Sequence, residues 1–129
     1  HKEHKLDGES IVPLLAGKAK QLDRDAICWH FPGYMDERGI PASVINKRVD
    51  GKRYKYRYCY EYDTHELYNL TDDMGETVNL LEGNVTKSNL KIGNDLLKDL
   101  RKWIDSTQPL PIYYVDNGKQ VSLPEKIKL

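Results

Sequence analysis

Tyrosine stands at positions 54, 56, 58, 60 and 62, alternating with Lys55, Arg57, Cys59 and Glu61. A period of two belongs to an extended strand, whose successive side chains point to opposite sides. The spacing therefore puts five rings on one face of a strand running from Lys52 to Tyr62. Such a face needs neighbouring strands and a covering layer. Leu96, Leu97, Leu100, Trp103 and Ile104 recur at helical spacing and supply that cover. They predict an amphipathic helix from about Ser88 to Ser106, started by a Ser or Asn cap and stopped before Pro109 and Pro111. Gly93 is expected to weaken its first half by up to ~1 kcal/mol relative to Ala.

The neighbouring strands are legible on both sides. Ala26 to Phe31 is a short apolar run closed by Pro32-Gly33, with a loop to about Pro41. Ala42 to Val49 is followed by Asp50-Gly51, a strong two-residue hairpin signal because both residues tolerate positive φ. Asp63-Thr64 is a weaker turn before a last strand, His65 to Leu70. The expected fold is α+β, a small antiparallel sheet of about four strands with a C-terminal amphipathic helix packed on one face. Residues 1–24 read as a linker, 25–86 as the sheet, 87–107 as the helix and 108–129 as a tail. A helical turn is expected around residues 10–15, at Pro13, and Asp116-Asn117-Gly118 suggests a small terminal hairpin.

Charge narrows the function classes. Twenty basic and twenty acidic side chains cancel, so the global field of a nucleic-acid or anionic-membrane binder is absent. No run approaches the ~20 apolar residues needed to span a bilayer, and the first residues lack the apolar core of a signal peptide. The apolar fraction of 39% lies below the ~45–50% usual for globular domains and suits a subdomain leaning on a larger body. Cys28 and Cys59 lack metal-ligand spacing and read as buried thiols, with a bridge between them left open.

Several clusters invite a chemical reading. Lys52 to Tyr58 interleaves cations and rings, as a binding surface for sulfated glycan or nucleic acid would, but a strand sends the two sets to opposite faces. His30, at a strand end beside a loop with Tyr34 and Arg38, is a site candidate, yet no nucleophile or carboxylate partner accompanies it. Asp72, Asp73 and Glu76 do not match a Ca²⁺-loop ligand pattern and read as an acidic turn. His1 and His4 read as a frayed terminal pair rather than metal ligands. No nucleophile elbow, phosphate loop, zinc-helix motif or dinucleotide fingerprint is present.

Four blocks, taken in order, resemble the C-terminal subdomain of the formylglycine-dependent sulfatases of the alkaline-phosphatase-like superfamily. Leu6 to Gly17, with Asp7-Gly8, Ser10 and Pro13-Leu14-Leu15, is similar to the segment that ends the family's large domain. Trp29-His30-Phe31-Pro32-Gly33-Tyr34 resembles the strand and loop that follow. Pro41-Ala42-Ser43-Val44-Ile45 with Arg53-Tyr54-Lys55-Tyr56 resembles the family's hairpin. Glu66-Leu67-Tyr68-Asn69-Leu70 with Asp73-Met74-Gly75-Glu76 and Asn79-Leu80 is the best match, and the helix with Leu100 and Trp103 follows in place. Asn46-Lys47-Arg48-Val49 lengthens the hairpin relative to the family form, and the tyrosine strand replaces a more aliphatic one.

The resemblance implies a sulfatase fragment that completes the fold and the substrate pocket without being catalytic alone. In such enzymes a cysteine or serine in a Cys/Ser-x-Pro/Ala-x-Arg motif becomes formylglycine, and a divalent cation, usually Ca²⁺, steadies the sulfate. Neither Cys28 nor Cys59 has that motif. The implied nucleophile and metal ligands belong to an N-terminal catalytic domain of the same chain, the implied partner, acting on a sulfate ester substrate. No catalytic or metal residue is expected here, and His30, Tyr34 and Arg38 are the substrate-proximal candidates. The resemblance also implies a periplasmic or secreted location. An independent binding module and a structural interaction domain are the competing readings.

Overall fold

The computed structural model describes residues 8–33 and 39–128. Four strands, β1 (Ala26–Phe31), β2 (Ala42–Val49), β3 (Lys52–Cys59) and β4 (Thr64–Asn69), form one antiparallel sheet in the order β1-β2-β3-β4. The meander follows from its turns. Asp50 and Gly51 take φ of 48° and 80°, so the two-residue loop has the backbone twist that joins β2 to β3 without splaying them.

Register decides which side chains meet. Cys28, Ile45, Tyr56 and Leu67 form one row across the sheet, and His30, Ser43, Tyr58 and His65 form the next on the same face. Over this face lies α2 (Lys87–Thr107), which buries Gly93, Leu96, Leu97 and Leu100. Ile45, Tyr54, Tyr56, Tyr58, Tyr60 and Leu67 meet these leucines in one core, which Leu81 and Ile127 complete. Fully burying each such side chain is worth about 1.5–3 kcal/mol, so this single seam carries most of the packing energy.

Two expectations for the tyrosine strand are corrected. β3 ends at Cys59, and the chain turns over residues 60–63 with Asp63 at a φ of 49°. Tyr60 still reaches the core, because its N–H bonds to the Pro41 carbonyl at 2.9 Å and extends the ladder by one contact. Tyr62 does not; it is 60% exposed, so four rings rather than five face the helix. The turn also lies earlier than Asp63-Thr64, since the Cys59–Thr64 pair closes the ladder. The Asp63 carboxylate accepts from the Tyr58 hydroxyl at 2.7 Å and ties the loop to the core.

The helix cap is Thr86, not a Ser or Asn; its hydroxyl accepts from the Asn89 N–H at 3.1 Å. Gly93 has a packing role beyond the propensity cost expected of it. A Cβ there would lie 2.8 Å from Ile127 Cδ1 and 3.4 Å from Leu81, so the glycine makes room for the returning tail. Asn94 fastens that return by accepting from the Ile127 N–H at 2.9 Å. Earlier in the tail, Tyr113 pairs with Gln120 in a minimal hairpin around the expected Asp116-Asn117-Gly118 turn. At the other end, α1 (Val12–Leu15) is the short helical turn expected at Pro13.

Candidate functional site

His30 is the one candidate that can be followed through the structure. It occupies the penultimate position of β1 on the helix-facing side, where it pairs across to Ser43 of β2. Its Nδ1 lies 2.7 Å from Ser43 Oγ, which in turn lies 2.9 Å from Tyr60 Oη; the Tyr60–His30 distance is 3.4 Å. Ser43 is fully buried, so its hydroxyl depends on these two partners and is closed to a substrate. The trio is thus an internal hydrogen-bond network that sets the orientation of the imidazole. With Nδ1 engaged, Nε2 is the nitrogen left for other contacts.

The surroundings of His30 are open enough to matter. It borders a cavity of about 150 Å³ enclosed with Arg101, Asp105, Pro109 and Val121, between the end of α2 and the tail. On its other side lies a larger groove of about 940 Å³ between β1 and α2, lined by Cys28, Lys47, Asp99 and Trp103. Lys47 spans this groove, 2.8 Å from Asp99 and 3.1 Å from Asp25. The hydrogen bond to Asp99 is the main cause of its raised pKa, so it remains a cation with committed partners. Tyr34 and Arg38 lie outside the described residues.

A second polar row continues along the sheet. Tyr56 Oη is 2.8 Å from His65 Nδ1, and the His65 ring packs on Tyr58 at 5.2 Å between centroids. Burial lowers the pKa of both His30 and His65, Asp63 opposing the shift at His65. Both rings are therefore held neutral in the fold while the unfolded chain titrates near 6.5. The unfolded state takes up protons first as pH drops below that value, so stability is fully present above it and is lost as pH falls through the lowered folded pKa values. Urea midpoints at pH 7.5 and 5 should show this loss, and a His30→Gln/His65→Gln double variant should reduce the difference; an unchanged difference would refute this account.

The basic-aromatic run divides as its period requires. Tyr54, Tyr56 and Tyr58 are buried under α2, while the cations on the outer face are engaged with neighbours. Lys55 pairs with Glu76 at 2.6 Å and Arg57 with Glu66 at 3.0 Å, and Arg53 donates to Asn46; Lys52, which shares the tyrosines' side at the start of the strand, pairs with Asp72 at 2.7 Å. No flat ligand could meet rings and cations together, which disfavours the binding-module reading.

The acidic turn is consumed in the same way. Asp72 and Glu76 take those lysines, and Asp73 accepts from the N–H groups of Thr77 and Val78 at 2.8 and 2.9 Å, which lower its pKa. Beyond it, Asn79 has a role the sequence did not reveal. Its Oδ1 accepts from the N–H groups of Leu67 and Leu81, both at 3.0 Å, and its Nδ2 donates to the His65 carbonyl at 3.3 Å. One side chain thereby satisfies backbone groups along the free edge of β4, beside the Leu80 N–H bond to the Leu67 carbonyl.

Neither thiol is poised for chemistry. Burial, then the nearby Asp25 and Asp99 carboxylates, push the Cys28 thiol up to about 11, and Cys59 is buried. Both are free, so no bridge joins them. Among the described residues no group of three or more His, Cys, Asp and Glu side chains could hold a metal ion. The donor set for a divalent cation does not fit these residues. No helix among them is long and apolar enough to cross a membrane.

Comparison with known proteins adds a family to this fold and site. Residues 1–105 match the family model described as N-sulphoglucosamine sulphohydrolase, C-terminal. A curated relative, a sulfatase of Formosa agariphila, is 38% identical over 127 residues, covering 97% of this chain and 23% of the relative. The chain thus spans about a quarter of the length of the relative it matches.

Proposed function

Because the chain belongs to the N-sulphoglucosamine sulphohydrolase C-terminal family of sulfatases, we propose that it serves a larger sulfatase as the subdomain completing its fold and one wall of its substrate pocket. The observation that best supports this reading is the pairing of nearly full coverage of this chain with small coverage of the relative. The parent would hydrolyse sulfate esters in the periplasm or outside the cell. Its N-terminal catalytic domain would carry formylglycine, whose hydrate supplies the nucleophile, and the ligands for Ca²⁺. The described residues provide neither, so no chemical step is assigned to them.

Their part is positional. His30 is the last helix-facing residue of β1 and precedes Tyr34 and Arg38 closely in sequence, so the three form one candidate set for contacting the organic portion of the ester. Ser43 and Tyr60 would hold the imidazole in a single orientation for that contact. In the full-length protein, His30→Ala should lower kcat/KM for its best substrates by roughly tenfold or more, the scale of a lost oriented hydrogen bond. An unchanged kcat/KM across those substrates would exclude the role.

A further inference from the structure

The outer face of the sheet is chemically split. Across one row, Trp29, Val44, Arg57 and Glu66 follow one another, and across the next, Ile27, Asn46, Lys55 and Tyr68. The β3–β4 half carries ion pairs that neutralise each other and tolerate water. The β1 end carries Ile27, Trp29 and Phe31, which are 41%, 42% and 52% exposed although one strand aligns all three on one side. β1 is also an edge of the sheet, with no further strand paired to it among the described residues. An edge bearing an aligned apolar stripe is a liability unless something covers it.

We propose that this stripe is the seat for the N-terminal body of the parent sulfatase, an inference that rests on the function proposed above. The comparison supplies the occupant: more than three-quarters of the matched relative lies outside the aligned region, while almost all of this chain lies within it. The chain preceding β1 points the same way. In α1, Ile11, Val12 and Leu15 are exposed apolar residues as well, and Glu9 binds the N–H groups of Asp23 and Arg24 at 2.7 and 3.1 Å, holding that segment to the approach of β1. Exposed apolar residues thus follow one another on α1 and β1, with a separate group from Leu110 to Val115 in the tail, and the ion-paired half of the sheet face remains for solvent. The partner surface should be apolar and should not present a lone charge to Trp29, whose desolvation would oppose docking.

Hydroxyl-radical labelling of the native full-length protein, read by mass spectrometry across a dilution series, tests this. Trp29 and Phe31 should lose nearly all the labelling they show in urea, at every dilution. Labelling of Trp29 at a level matching its 42% exposure would overturn the proposal. Protection that disappears on dilution would also overturn it, by assigning the stripe to a second copy. Intact mass on the same sample separates the two failures: a native protein no longer than this chain removes the parent-sulfatase reading itself, whereas a long protein with a labelled Trp29 removes only the docking seat.

Discussion

Replacing Leu97 with alanine is expected to lower the unfolding free energy by about 2–5 kcal/mol, the range for deleting a fully enclosed leucine. Leu97 has 0% exposure and sits where α2 meets the tyrosine face. The cost has two parts: the lost transfer energy of the removed carbons, and the void that the surrounding side chains cannot fill. Rigid rings are poor at collapsing into such a void, and Tyr56 is also held by its bond to His65. Domains are stable by only about 5–15 kcal/mol, so this one truncation would consume a large share. The exposed Lys98, next on the same helix, is the control; Lys98→Ala should change stability by less than about 0.5 kcal/mol. Urea titration at constant slope measures both. A Leu97→Ala midpoint indistinguishable from the control would show that the helix and the sheet do not share a core.

The second large effect is expected at Asn79. Asn79→Ala leaves the N–H groups of Leu67 and Leu81 without the acceptor they share, and an unsatisfied buried donor costs about 1–3 kcal/mol. Leu67 is at 0% exposure, so water cannot readily replace the lost bond. A total of roughly 3 kcal/mol follows, allowing for partial hydration at Leu81. Asn79→Asp keeps an oxygen that can accept from both N–H groups but sets a second carboxylate oxygen against the His65 carbonyl in place of the donated bond, so it should retain protection at Leu67 without retaining full stability. Urea titration gives the energies, and amide hydrogen exchange at Leu67 locates them, with faster exchange expected in the alanine variant. Wild-type stability together with unchanged protection at Leu67 would refute the edge-capping role. The Asn79-Leu80 pair, prominent in the family resemblance, would then need another explanation.

Local periodicity made the frame legible. Alternation placed β3, Asp50-Gly51 placed the hairpin, and the spacing of Leu96, Leu97, Leu100 and Trp103 placed α2. These signals act between near neighbours and survive in a string of letters. What was hidden depends on contacts between distant residues. Tyr62 obeys the alternation of its strand and yet leaves it, because the ladder closes at the Cys59–Thr64 pair. A Ser or Asn cap near Ser88 was the expected start, and only the backbone path shows that Thr86 takes the role instead. Gly93 looked like a weakness until Ile127, far along the chain, was found against it.

The site was legible in outline only. Strand-end position singled out His30, but its partners come from β2 and from the turn after β3, 13 and 30 residues away, and require the register to be known. Asn79 gave a motif without a mechanism, since its three backbone partners lie on β4 and just beyond its own position. The pairing of every outer-face cation named in the basic run could not be read from composition either. The engaged cations disfavour a ligand-binding module, and the family match supports the part in a larger sulfatase proposed above.

That conclusion is tested most directly by mass spectrometry of the native protein that contains these residues, with peptide mapping from end to end. The account predicts one polypeptide several-fold larger than the 15.0 kDa of this chain, with a peptide N-terminal to residue 1 in which the cysteine or serine of a Cys/Ser-x-Pro/Ala-x-Arg motif has become formylglycine. A mature polypeptide of about 15.0 kDa, or a long one without that residue, would contradict it.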